Sequence, residues 1–336
     1  MTERNLSLDQ LHQMAVKALS AHNTSPENAN LVAKALVAAE ADGLKGHGMS
    51  RLPSYCGQAA SGKVDGQVRP EARLVADAAV RIDARCGFAY PALALAVEKL
   101  TGLAQASGIA VAAVTHSHHC GAASYHVEAL ARRGLIGLMF ANTPKAMAPW
   151  GGNQGVFGTN PIAFAAPRAA RDPLVIDLSL SKVARGKIMV AEQEGTAIPA
   201  GWAVDAAGHA TTDPKAAMAG TLLPMGDAKG AALVLMVEIL AAGLTAARFG
   251  FEASSFFTAE GKSPGVGQLL IAMAPGPLSG EAFESRLETL LAAILEQKNT
   301  RLPGDRRLGL RQEARKSGIN IRDQLYDQLV ALSAVA

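Results

Sequence analysis

This 336-residue chain lacks any surplus of one charge: 32 Lys and Arg stand against 29 Asp and Glu, a net of +3. That balance excludes the one-signed field that nucleic acids and other polyanionic partners require. Cysteine is scarce. Cys56, Cys86 and Cys120 are odd in number and form no C-x-x-C, which excludes a disulfide framework and a cysteine zinc site and fits the reducing cytoplasm. Long apolar runs are also missing. The longest, Ala231 to Leu244, contains Glu238 and is shorter than the roughly 20 residues of a membrane span. The first residues, MTERNLSLDQLHQ, carry no apolar segment behind a basic start, so neither secretion nor membrane insertion is expected. No repeat recurs at a fixed period, which excludes solenoids and propellers. G-x-G-x-x-G and G-x-x-x-x-G-K-[ST] are both absent, so an ordinary Rossmann or P-loop site is excluded as well.

What is present is a chain that folds: 49% apolar, 18% charged, and about twice the roughly 150 residues expected of one domain, so two or three compact units. Ser7 and Ser25 stand where helix caps should, the second ahead of Pro26 in a first turn. From Val75 onward strand-like runs (Ala79–Ile82, Ile109–Thr115, Leu135–Ala141, Leu174–Ile176, Gly267–Ala274) alternate with helical ones (Pro91–Ala106, Lys229–Leu244, Gly280–Gln297), which predicts an α/β fold. Leu287, Leu290, Leu291 and Ile294 form one stripe of the last helix. Turn residues crowd the stretch from Val183 to Pro214, which reads as an excursion or small subdomain rather than core, and the stretch from Lys298 to Lys316 is basic.

Five of the eight histidines fall in two short segments: His47 between glycines, and His116, His118, His119 and His126 after the strand at Ile109. Clustering of the side chain that titrates near neutrality points to an active site. His116 and His118 could face one ion from a strand end, but Glu128 is not spaced to complete such a site, so no metal is expected. A helix from about Met49 would align Arg51 with Tyr55, with His47 at its edge. Such a wall holds a proton carrier, a phenol and the guanidinium fork that suits a carboxylate.

The segments Asp42-Gly43…His47-Gly48…Arg51…Tyr55, His118-His119-Cys120-Gly121, Met147-Ala148-Pro149-Trp150-Gly151-Gly152, Phe157-Gly158-Thr159-Asn160-Pro161, Ile176-Asp177-Leu178-Ser179, Lys229-Gly230 and Leu302-Pro303-Gly304-Asp305-Arg306 together resemble the malate/L-lactate dehydrogenase family that lacks a Rossmann fold. The resemblance spans nearly the whole chain. Within the family, Gly267-Gln268-Leu269-Leu270-Ile271 and Arg301 to Arg307 look most like the Δ1-piperideine-2-carboxylate/Δ1-pyrroline-2-carboxylate reductases.

The resemblance implies a non-Rossmann NADPH-binding mixed β-sheet domain, over 76–297, and a helical domain made from both chain ends, 1–75 with 298–336. It implies NADPH-dependent reduction of a cyclic imino acid to L-proline or L-pipecolate, with a 2-hydroxy acid dehydrogenase as the alternative, in a cytoplasmic homodimer. Residue by residue it makes His47 catalytic. Substrate contacts fall on Arg51, Tyr55, Lys145, Thr159, Arg185 and Gly186. The cofactor falls on His119, Cys120, Gly121, Ala122 and Ala123, on Asp177, Leu178 and Ser179, on Ala228 and Lys229, and on Pro303, Gly304, Asp305, Arg306, Arg307, Leu308 and Gly309. Arg306 and Arg307 are the expected partners of the 2′-phosphate. Two positions depart from the reductase pattern: Gly46 stands where those relatives have a serine beside the histidine, and Lys187 where they have an aspartate. A relay through His47 is thereby lost, a change that an already protonated imine tolerates better than a keto acid.

Overall fold

The computed structural model describes residues 2–334. After β1 (Glu3–Leu6), Ser7 and Gln10 exchange side-chain-to-backbone hydrogen bonds in a capping box that starts α1 (Leu8–Ala21). Ser25 caps α2 (Pro26–Ala41) ahead of its first-turn proline. The helix expected from Met49 is instead two 3₁₀ turns, Lys45–His47 and Met49–Arg51, followed by α3 (Leu52–Ala60). Gly48, at φ −96° and ψ −140°, separates the two turns, and Met49 N–H donates to the Glu40 carboxylate at 2.8 Å. Arg51 therefore precedes the helix that carries Tyr55, and the two do not share an α-helical face.

β2 (Glu71–Ala76) and β3 (Ala79–Asp83) form a hairpin; α4 (Ala89–Ser107), β4 (Ile109–Ser117), α5 (Ala123–Ala131), β5 (Ile136–Ala141), β6 (Ile162–Arg168) and β7 (Arg171–Leu178) follow. After Val183, α6 (Arg185–Glu194), β8 (Ala203–Val204), β9 (Ala210–Thr211), α7 (Pro214–Ala219) and β10 (Thr221–Leu222) make a small unit with its own three-stranded sheet. Ile188, Ile198, Ala203 and Ala217 anchor it to a buried cluster. The apolar helix α8 spans Asp227–Glu238 and passes into a π turn at Ile239–Gly243 rather than running on to Leu244.

β11 (Val266–Met273) comes next, then a short α9 (Pro275–Ser279) and α10 (Phe283–Leu295), which is the helix expected from Gly280 to Gln297 with both ends a few residues shorter. Of the expected stripe on α10 only Leu291 is buried, and Leu290 lies 59% exposed. α11 (Asp305–Ser317), β12 (Ile319–Arg322) and α12 (Asp323–Ser333) complete the chain as described.

The main sheet has the order β2-β3-β4-β11-β5-β6-β7, with β3 and β4 parallel and the other neighbours antiparallel. β11 sits between β4 and β5 and is covered on both faces, which is why it is apolar from Leu269 to Met273, while the buried Gln268 donates to His118 O at 3.1 Å. Leu270 joins Leu93, Val127 and Met139 beneath α4 and α5, whereas Leu269 packs with Phe140, Val234 and Val237 beneath α8. A third core gathers Leu11, Leu36, Leu52 and Tyr55 with Ile321 and Leu329 from the other end of the chain. Because β4 and β5 both run antiparallel to β11, their ends lie on one edge, together with the start of β6 and the end of β7. That edge carries His118, Asn142, Thr159 and Asp177.

Candidate active site

Three elements meet at this edge: the Lys45–Arg51 turns with α3, the His118–Ala122 loop between β4 and α5, and the loop from Ser254 to Glu260. The rings of His47 and His119 stack with centroids 5.6 Å apart. Tyr55, fully buried, places its hydroxyl 2.6 Å from His119 Nδ1 and 3.1 Å from the hydroxyl of Tyr90. Gly121, at φ +69, leaves the space that Tyr90 fills, since a Cβ there would overlap the Tyr90 ring. His118 packs edge-on against Tyr55 with centroids 5.5 Å apart and hydrogen-bonds Gln58 Oε1 at 2.7 Å, while His116 is exposed beside Asp83 at 3.0 Å. The two imidazoles that might have shared an ion thus have separate partners. Among the described residues no three His, Cys, Asp or Glu side chains gather as a metal site would need.

Burial lowers the pKa of His47, helped by the Arg51 guanidinium and opposed by the Asp177 carboxylate. His119 is pushed well below the usual histidine range, first by burial, then by Arg51, His47 and His118. Both rings are therefore neutral at pH 7. Burial also raises the Cys120 thiol to about 12, so this cysteine lines the loop as an inert apolar group.

Arg51 donates through Nε to Gly46 O at 2.6 Å, lies with Cζ 4.5 Å from the Phe257 ring centroid, and has its Nη1 buried without a partner. A buried guanidinium N–H left unpaired is costly, and a ligand oxyanion is its natural partner. Thr159 is held from behind: its N–H donates to Thr143 Oγ1 at 2.9 Å, an approach that Gly158 permits because a Cβ there would overlap Thr143. The same loop is pinned by Asn142 and Asn160, whose side-chain amides donate to the Glu238 carboxylate at 3.1 and 2.6 Å. Burial raises the Glu238 pKa, and those bonds together with Gly250 N–H oppose the rise.

The remaining expected site residues are more scattered. Lys145 is exposed, Arg185 donates to Met218 O at 3.0 Å, and Gly186 is exposed on α6. Among the described residues no hydrogen bond or ring contact joins these three to His47. Asp177 accepts from Ser124 N–H at 2.8 Å and so caps the first turn of α5 above Ala122 and Ala123. In a Rossmann site a helix start of this kind takes the pyrophosphate; here a carboxylate already holds it. Leu178 is 46% exposed, and the Ser179 hydroxyl bonds that of Ser181.

Free cations suited to a dinucleotide phosphate are Lys229, exposed beside Ala228 on α8, and Arg306, exposed behind Pro303, Gly304 and Asp305 and before Leu308 and Gly309 on α11. This donor set fits NADPH with one correction. Arg307 is not free for a phosphate: it is 11% exposed, 3.3 Å from Glu128 and 3.4 Å from Asp42. Arg311 completes that cluster at 2.6 Å from each carboxylate.

Sequence reasoning missed Gln58, Tyr90, Thr143, Phe256 and Phe257 as site residues. A signal existed for the last two: an adjacent aromatic pair amid Ser254, Ser255 and Thr258, in a chain with nine Phe.

A mixed sheet with no dinucleotide fingerprint, met at one edge by the turns that carry His47 and Arg51, is the frame of a non-Rossmann oxidoreductase family: the chain belongs to the malate/L-lactate dehydrogenase family, whose pattern matches residues 6–330. It is 52% identical over 330 residues to the (2R)-3-sulfolactate dehydrogenase (NADP(+)) of Chromohalobacter salexigens, covering 98% of each chain. It is 43% identical to the Δ1-pyrroline-2-carboxylate/Δ1-piperideine-2-carboxylate reductase of Pseudomonas putida, covering 90% of this chain and 89% of that one. The crystal structure of Δ1-piperideine-2-carboxylate reductase from Pseudomonas syringae pv. tomato superposes with a TM-score of 0.93 at 41% identity, covering 98% of this chain and 99% of that one.

Proposed function

We propose that this oxidoreductase interconverts a 2-hydroxy acid and its 2-oxo acid with NADP(H), and that the substrate carries a second anion of the sulfonate kind. The observation that carries the reading is the buried, unpartnered Nη1 of Arg51 beside the neutral His47. The likeness to a 3-sulfolactate dehydrogenase puts the hydroxy acid ahead of the imine.

Bound NADP(H) supplies or accepts the hydride at C2 of the substrate. Arg51 grips the C1 carboxylate and Thr159 supports it, so much of the rate comes from orientation. In oxidation the neutral His47 takes the hydroxyl proton as the hydride leaves C2; in reduction the protonated ring returns it to the developing alkoxide. His119, held neutral, stacks on His47 without competing for that proton. Lys229 and Arg306 would hold the cofactor's phosphates.

Reduction of a cyclic imino acid is the second reading, favoured by the likeness to the imine reductases and by Gly46, which leaves His47 without the serine partner. NADPH oxidation measured side by side with 3-sulfopyruvate, pyruvate, oxaloacetate, Δ1-pyrroline-2-carboxylate and Δ1-piperideine-2-carboxylate separates the two. The highest kcat/KM is expected with 3-sulfopyruvate, and a preference for either imine reverses the assignment.

Free cysteines and balanced charge support a cytoplasmic enzyme. A homodimer is supported by Leu235, Met236, Ile239 and Leu244, which lie 41–62% exposed along α8 and the turn after it. Sedimentation equilibrium showing a monomer would remove that part of the reading.

A further inference from the structure

Phe257 is 58% exposed, so its ring is not there to fill the core. The loop on either side of it is nevertheless held by carbonyl contacts to α3 and the turn that follows. Lys63, only 3% exposed, donates through Nζ to Ser255 O at 2.7 Å and to Thr258 O at 2.9 Å. Gln58 donates to Phe256 O at 2.7 Å, and the Ser61 hydroxyl to Ala259 O at 2.8 Å. A buried lysine committed to two loop carbonyls is an expensive way to hold an exposed loop unless the loop's position matters. What this strap presents to the site is an aromatic pair. Phe256 packs on His118 and His119, with centroids 5.3 and 5.0 Å away, and Phe257 lies against the guanidinium of Arg51.

We propose that Phe257 is a substrate-positioning residue that fixes the plane of the Arg51 guanidinium and so aims its unpartnered Nη1 at the substrate carboxylate. The proposal rests on the reading of Arg51 as the carboxylate grip. Guanidinium groups stack on aromatic faces, and a stacked fork retains fewer orientations to lose when it binds a carboxylate. With Nε already committed to Gly46 O, the ring fixes the remaining rotation, and Lys63 and Gln58 fix the ring. The same loop thereby sets Phe256 against His119 and couples the carboxylate grip to the histidine pair.

The test is Phe257→Leu, which keeps an apolar side chain and removes the π face. Expected is a rise of about three- to tenfold in KM for the preferred acid substrate. kcat and KM for NADPH should stay within about twofold, as expected when ground-state and transition-state binding are lost equally. Phe257→Tyr should restore the wild-type KM. In an Arg51→Gln background the Phe257→Leu change should add nothing, because the group it positions is gone.

Calorimetric titration with oxalate, a carboxylate probe that needs no turnover, should show the same three- to tenfold loss. An unchanged KM and oxalate affinity in Phe257→Leu overturns the proposal. So does a loss of equal size in the Arg51→Gln background, a failure of Tyr to rescue, or a wild-type enzyme that does not bind oxalate. Oxalate binding that depends on Phe257, in an enzyme that turns over none of the substrates named above, sinks the functional assignment and leaves the positioning role standing.

Discussion

The Tyr55 hydroxyl stands 2.6 Å from His119 Nδ1, and through that one contact a fully buried phenol on α3 sets the orientation of the ring that stacks on His47. Burial raises Tyr55 to about 12, so the phenol stays protonated wherever the enzyme is active. Tyr55→Phe keeps the packing and removes the bonds to both His119 and Tyr90. The expected cost is about 1 kcal/mol of stability, read from urea denaturation, and about a tenfold loss of kcat as His119 loses its fixed setting. Unaltered kcat would take the Tyr55–His119 bond out of the working site.

A second expectation concerns the proton carried by His47. Its pKa lies below the usual histidine value, so the ring is ready as a base across neutral pH and charged only in more acidic solution. For hydroxy acid oxidation, kcat/KM should be flat from about pH 8 down to about 6.5, the ordinary histidine pKa, and fall only below that. For reduction the acidic side should be favoured. His47→Gln should cost about 10²–10⁴ in oxidation and abolish the acidic limb; a limb that survives belongs to another group.

Acid should also weaken the fold through two histidines outside the chemistry. Burial lowers His118 to about 3 and His126 to about 4, the latter slightly offset by its bond to Cys120 O. Between those values and about 6.5 the unfolded chain binds protons that the native state does not. Stability is therefore complete above about pH 6.5 and declines as pH falls, by about 1.4 kcal/mol per pH unit for each group. Burial would raise Glu128, but Arg311, Arg132 and Arg307 outweigh it and hold the carboxyl at about 2, so its contribution is lost only below about pH 4.5. Urea midpoints from pH 7.5 to 5 measure the slope, and His118→Gln should reduce it by about one proton.

The two neighbouring arginines of α11 should separate cleanly. Arg306→Ala should raise KM for NADPH about tenfold and leave NADH use little changed, because one charged contact to a phosphate is removed. Arg307→Ala should leave the cofactor preference alone and lower stability by about 1–3 kcal/mol, because it opens a buried cluster with Asp42 and Glu128. Arg311→Met should cost more, about 3–5 kcal/mol, since it leaves both carboxylates with poorer partners. Cofactor kinetics and thermal melting on the same three variants decide this, and a shift in NADPH preference in Arg307→Ala would return that residue to the phosphate site.

The candidate site was legible in the sequence to the extent that its residues sit close together. His47, Arg51 and Tyr55 lie within nine positions, and the histidine run after β4 supplied the other half. Helix caps at Ser7 and Ser25 were legible for the same reason, because capping is decided within four residues. What the sequence hid depends on contacts between distant segments. That Glu40 of α2 holds Met49 N–H, and that Arg307 is tied up by Asp42 and Glu128 on two other elements, shows only once the chain has folded. Lys63 looks like a surface lysine until the loop two hundred residues later closes over it. The stretch after Val183 read as an excursion or small subdomain without its elements being legible, because its strands are two residues long and its core is shared with α8 and β5.

The pairing of β1 with β12 has a consequence for how the molecule is made. Asn5 and Asn320 face each other across that ladder although 315 positions separate them. Closing so long a loop costs only slightly more entropy than closing one half its length, but the search for the contact is slow. On the ribosome α1, α2 and α3 must wait, with Leu11, Leu36 and Leu52 uncovered, until Ile321 and Leu329 have been synthesised. The sheet carrying His118 and Thr159 can close earlier, so the Lys45–Arg51 turns join a nearly finished sheet edge last. A chain stalled before β12 would expose an apolar helical surface to chaperones while its sheet was already native.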